Sequence, residues 1–238
     1  MSISISLDLS KNTYKSFSAK KKKYAGIMGL SIGKKEFMDK EIMEDYTKFM
    51  QDYFIHSVLI VADFPKKYNI MALEGVSEKA AEERSRIGGD NMRNMLEKIT
   101  RDYPLVKVAR WKDFMTKEYR NNLRVIHSGY EYHSGFQEGV RNLVEEFLHS
   151  SQNLARPRVL NPSRDMLKDY VLDELAFLLA APLSFSLPIC EIYPGKNRLQ
   201  EDLQSGAFPF CKDLKISESR IFMDANYVNP LVGNCAGD

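Results

Sequence analysis

Ser31 stands in the run Gly29-Leu30-Ser31-Ile32-Gly33, directly after a short apolar stretch from Tyr24 to Leu30. A strand ending in a turn, followed by a helical pattern, places such a hydroxyl at the carboxyl end of a buried strand, where open α/β sheets bind their ligands. Backbone N–H groups at the start of the following helix would favour negative charge developing nearby. This setting makes Ser31 a candidate nucleophile, and it equally suits the N-cap of the next helix. Further along, Tyr170 and Glu174 are four residues apart in a helical pattern and so share one helix face. They point at one pocket, or else join Asp169 and Asp173 in a solvated acidic face. Alternation along 189–193 puts Glu191 and Tyr193 on one face of a strand. An acid there favours a polar or basic substrate group, or it pairs with a nearby Lys or Arg.

Other chemistries lack their residues. His56, His127, His133 and His149 have no partners at ligand spacing, and Cys190, Cys211 and Cys235 show neither metal-site nor disulfide spacing, so no metal is expected. The chain carries no G-x-x-x-x-G-K-[ST] phosphate cradle. No window approaches the roughly 18 continuous apolar residues of a membrane span, and no secretory apolar segment opens the chain, which together with the cysteine usage points to a reducing cytoplasm.

The elements that must position these residues alternate. With 238 residues, 44% hydrophobic and 28% charged, the chain has the size and composition of one domain, and its net charge of +2 gives no direction about nucleic acid. Residues 1–23 carry six lysines against Asp8 and read as a mobile or edge segment. Strands are expected over 24–30, 57–62, 106–111 and 189–193. Helical patterns run from Phe37 to Tyr53, over 77–101 with a break or weakening at Gly88-Gly89, over 117–150 with interruptions near Gly129 and Gly135, and over 164–180. The segment 207–228 reads as β-rich, with a tail over 229–238. Strands alternating with helices imply a Rossmann-like α/β domain over 24–228, with a mostly parallel sheet flanked by helices.

Gly29-Leu30-Ser31-Ile32-Gly33, Tyr170-Val171-Leu172-Asp173-Glu174-Leu175-Ala176-Phe177 and Tyr193-Pro194, in that order, resemble the three motifs of the cyclodipeptide synthases. That family shares its fold with the catalytic domain of the class I tyrosyl and tryptophanyl-tRNA synthetases. The resemblance implies an aminoacyltransferase that takes two aminoacyl-tRNAs, needs no cofactor and works as a monomer. Ser31 would carry the first aminoacyl group in a ping-pong reaction. Tyr170 and Glu174 would bind its α-amino group, with a charge-assisted hydrogen bond from the ammonium to the carboxylate. Tyr193 would position a phenol near the reacting ester, unless it is an ordinary packed tyrosine, while Gly29, Gly33, Phe177 and Glu191 would surround the substrate. A second aminoacyl group would be joined to the first, and the dipeptidyl ester on Ser31 would close to a 2,5-diketopiperazine. Lys34 and Pro194 depart from the better-known branch, which has asparagine and histidine there, and resemble the branch defined by Tyr-Pro.

The family also uses a basic helix for tRNA. Here the stretch from Ser77 to Asp102 has as many acids as bases. Lys79, Arg86 and Arg93 recur every seven residues and form a stripe for phosphates, or Arg86 with Asp90 and Arg93 with Glu97 form surface pairs. Lys20, Lys21, Lys22 and Lys23 are the other expected phosphate contacts. Two rival readings remain. One is a serine hydrolase using Ser31, the other a tRNA-binding protein without catalysis.

Overall fold

The computed structural model describes residues 3–6, 23–154, 159, 161–193, 198–217 and 220–227. Lys20, Lys21, Lys22 and Pro194 lie outside these described residues. The strands β2 (Ala25–Ser31) and β3 (His56–Ala62) are mostly buried, the pattern of parallel strands covered on both faces. They are joined by β4 (Val106–Arg110), β5 (Ile189–Tyr193), β6 (Arg220–Tyr227) and β1 (Ile3–Ser6) in the order β1-β6-β5-β2-β3-β4. Every pairing is parallel except the edge pair of β1 with β6. The chain therefore builds outward from β2 through β3 and β4, then returns to add β5 on the other side. The switch point falls at β2, and Ser31 is its last residue.

Alternation in β2 divides the core. Met28 and Leu30, with Leu59 and Val61, meet helices α1 (Lys35–Met38), α2 (Lys40–Tyr53) and α4 (Glu78–Ile99) through Phe37, Met43, Met50, Met92 and Leu96. Ile27, Val58 and Ile60 face the other way. They meet α3 (Lys66–Glu74), α5 (Lys117–Tyr132), α6 (Ser134–Leu154), α7 (Arg164–Ala180) and α8 (Arg198–Ser205), through residues such as Ala72, Ile126, Phe136, Leu172 and Leu203.

Several local expectations change. Helix α4 runs unbroken through Gly88-Gly89. A Cβ on Gly88 would lie 2.9 Å from Ile32 Cγ2, and one on Gly89 would lie 2.7 Å from Asp63 Cβ, so the glycines let the helix approach the carboxyl ends of β2 and β3. The break between α5 and α6 falls at His133, with Gly129 and Gly135 inside the helices. Helices α3 and α8 were not anticipated, and 209–213 is a 3-10 turn, with β structure beginning at Arg220.

Candidate active site

Ser31 ends β2 opposite Ala62, and its carbonyl accepts a hydrogen bond of 3.3 Å from the Lys34 amide. This closes a four-residue turn whose third position, Gly33, has φ 88°, a conformation suited to glycine. The turn frees Ser31 from capping. Lys34 is the N-cap of α1, and Asp39 caps α2, accepting from the amides of Glu41 and Ile42 at 2.9 and 3.2 Å. Extended backbone at Asp39 limits α1 to four residues, so the long helix with its dipole starts one step beyond the place the sequence suggested. The Ser31 hydroxyl is half-buried and makes no hydrogen bond among the described residues.

Gly29 and Ser31 project, with Ile27, toward the α7 side of the sheet. A Cβ built on Gly29 would meet nothing within 4 Å, so space opens over the sheet directly below Ser31. Helix α7 lies over this face and is capped by Ser163, whose hydroxyl accepts from the Met166 amide at 3.4 Å. Two turns in, the Tyr170 hydroxyl donates to Glu174 Oε1 at 3.2 Å, while its ring stacks on Phe147 of α6. Glu174 is partly open to solvent. Burial nonetheless pushes its carboxyl up to about 7; the Tyr170 hydrogen bond opposes the shift and the Asp173 charge reinforces it.

The solvated acidic face does not form. Asp173 turns inward and accepts a hydrogen bond from the buried Tyr119 hydroxyl of α5. Burial raises Asp173 to about 6, and the same burial and the facing carboxylate push the Tyr119 phenol up as well. Phe177 is also inward. It is 2% exposed, stacked on Trp111 at 3.5 Å and edge-on to Phe114, so it anchors α7 and presents almost no surface to a substrate.

Glu191 sits opposite Ile27 in β5 and therefore faces the same side. It is buried and accepts a hydrogen bond of 3.1 Å from Gln200 of α8. Tyr193 is the last residue of β5, at the same edge of the sheet as Ser31; its side chain lies outside the described residues.

The basic stripe is elsewhere, on the outer face of α4. Arg86 pairs with Glu83 and Asp90 at 2.8 and 2.9 Å, and Arg93 pairs with Glu97 at 2.6 Å. These are exposed helix pairs of the kind that contribute little to stability. Lys79 and Lys23 are exposed. A cavity of about 300 Å³ lies beyond β3 and β4, lined by Asp63, Phe64, Lys67, Ser85, Arg86 and Arg110. In it Arg110 meets Asp63 and Asp90, and Lys67 meets Glu78 and Glu82.

Sequence reasoning passed over Tyr119, Gln200 and Lys66. Tyr119 acts through a contact 54 positions away, and Gln200 through one that crosses from a helix to a strand, neither of which a local pattern announces. Lys66 follows a buried strand and Pro65, a helix-start signal that was available. Among the described residues no helix is long and apolar enough to cross a membrane, and no group of three His, Cys, Asp or Glu side chains is placed to hold a metal ion.

No family model and no curated protein matches the chain. Solved structures do. A cyclodipeptide synthase from Bacillus thermoamylovorans superposes with a TM-score of 0.77 at 20% identity, over 95% of this chain and 97% of that one. A cyclodipeptide synthase from Candidatus Glomeribacter gigasporarum, bound to Phe-tRNAPhe, gives a TM-score of 0.64 at 14% identity, over 92% and 94% of the two chains. The tyrosyl-tRNA synthetase of Archaeoglobus fulgidus gives 0.53 at 11% identity, over 90% of this chain and 58% of that one. The chain therefore has the Rossmann-like fold that cyclodipeptide synthases share with the catalytic domain of class I tRNA synthetases.

Proposed function

We propose that this chain is a cyclodipeptide synthase that joins two aminoacyl groups from charged tRNAs through esters on Ser31. The observation that carries the reading is the arrangement of one sheet face. An uncommitted Ser31 hydroxyl at the switch point and open space over Gly29 lie on the sheet face that α7 covers, and α7 is the helix that carries the Tyr170–Glu174 pair. The likeness to a synthase solved with Phe-tRNAPhe supports the substrate class.

In this reading Ser31 Oγ attacks the carbonyl of the first aminoacyl ester. The bond to the tRNA 3′ oxygen breaks, and that oxygen leaves with a proton. The aminoacyl chain lies over Gly29, between Gly33 and Glu191, and its ammonium reaches Glu174 and Tyr170. A carboxyl near 7 is well suited to the next step, because it binds the ammonium as carboxylate and takes up its proton as the amine becomes a nucleophile. That amine attacks the second aminoacyl ester, and the second tRNA leaves. The new terminal amine then attacks the ester on Ser31, closing the ring and restoring the hydroxyl. Tyr193, at the end of β5, supplies a phenol that donates and accepts hydrogen bonds during these transfers. Lys79, Arg86, Arg93 and the lysines from Lys20 to Lys23 hold phosphates, the α4 arginines exchanging their surface carboxylates for them. The protein acts as a monomer in the cytoplasm.

Among the described residues no histidine hydrogen-bonds Ser31, which leaves a histidine-dependent hydrolase without its base. The test is mass spectrometry of medium from bacteria expressing the chain or its Ser31→Ala variant. A diketopiperazine present with the first and absent with the second is expected. Soluble, folded protein that yields no cyclic dipeptide would sink the proposal.

A further inference from the structure

Lys66 and Lys67 open α3 side by side and meet opposite fates. The Lys67 ammonium bridges Glu78 and Glu82, at 2.9 Å each. The Lys66 ammonium, only partly reached by solvent, has no ion-pair or hydrogen-bond partner among the described residues. It stands against the turn that follows Ser31: its Nζ lies 3.7 Å from the place a Cβ on Gly33 would occupy. Burial lowers its pKa, and the charge of Glu74 opposes that shift. Glu74 itself is engaged by Arg84 at 2.5 Å.

A partly desolvated ammonium with no direct ion pair among the described residues is an unfavourable arrangement that an incoming anion would relieve. Its position at the carboxyl ends of β2 and β3 determines which anion. Whatever brings a carbonyl to Ser31 must pass this edge of the sheet. We propose that Lys66 is the phosphate contact that seats the single-stranded acceptor end of an RNA substrate over Ser31. The α4 stripe, by contrast, is exposed and already paired, so its share in binding is a non-specific, salt-screened attraction. The inference rests on the proposed function for its RNA, and its test does not use catalysis.

The measurement is binding of an acceptor-stem minihelix ending in single-stranded CCA, titrated with KCl. Lys66→Met keeps the apolar stem and removes the charge. It should flatten the slope of log K against log salt by about 0.7 and weaken binding about fivefold at 0.1 M, the factor that slope implies for one single-strand phosphate. Lys66→Arg should restore both. A minihelix lacking the CCA should bind the variant and the parent alike. Lys48→Ala, which removes an exposed lysine of α2, should leave the CCA-dependent difference intact. An unchanged slope for Lys66→Met, or an equal loss with the truncated RNA, would overturn the proposal. Normal Lys66-dependent binding with no cyclic dipeptide formed would instead overturn the synthase reading and leave this one standing.

Discussion

On one side of the sheet, Met28, Leu30, Leu59 and Val61 pack on Met43, Met50, Met92 and Leu96, and the arginines of α4 stay outside in exposed pairs. On the other side, under α7, the same kind of apolar packing encloses Asp173 and Glu191 and partly covers Glu174. The first side holds the fold together by burial alone. The second gives up stability to keep carboxyls where water would not leave them, and raised pKa values mark that strain.

The sharpest way to test this contrast is Glu174→Gln. An amide cannot accept the ammonium proton, so cyclic dipeptide formation should fall by about 100-fold or more, measured as product per minute with purified aminoacyl-tRNA. The same variant should be more stable than the parent above pH 7. Glu174 titrates near 7 in the folded chain and near 4.5 when unfolded. Between those values the folded state holds more protons, so stability falls as pH rises through the window, by up to about 3 kcal/mol. Urea unfolding at pH 5 and pH 8 should show the parent losing stability across this range and the variant losing less. A variant no more stable at pH 8 would place Glu174 in an environment wetter than the one described.

On the other side, Leu96→Ala should destabilise by about 2–5 kcal/mol through the cavity it leaves, without altering the pH dependence of what remains folded. Catalysis by the parent should follow the same titration with the opposite sign. Below pH 7 the rate of cyclic dipeptide formation should drop up to about tenfold per pH unit as Glu174 becomes neutral, and above 7 it should level off. Gly29→Val should then separate folding from function. The space above Gly29 accepts the side chain, so stability should stay within about 0.5 kcal/mol while loading of large amino acids declines. Smallest of all, Arg93→Ala breaks only an exposed pair and should change stability by about 0.5 kcal/mol or less, though it should reduce the salt slope of RNA binding.

Where local pattern and tertiary role coincide, the sequence was readable. β2 and β3 are apolar runs bounded by turns, so the strand ending at Ser31 was visible, and so was the shared face of Tyr170 and Glu174. Reading failed where a residue serves a distant neighbour. Gly88-Gly89 looked like a weak point in a helix because nothing nearby reveals that Ile32 and Asp63 need the room. Asp173 looked like surface because Tyr119, its partner, lies 54 positions earlier. Phe177 looked like a pocket residue because the motif includes it, whereas Trp111 claims its ring. The short α1 hid for a related reason: only the extended backbone at Asp39 divides it from α2.

The edge pairing of β1 with β6 has a consequence in time. Ile3 aligns with Tyr227 and Ser6 with Asp224, so β1 finds its partner only after all the strands between them in the chain have been synthesised. Until then β5 presents an open edge, and β1 has no strand to pair with. Synthesis interrupted before Arg220 would leave the Ser31 side of the sheet assembled but unsealed, a nascent chain open to edge-to-edge association and in need of a chaperone during that interval.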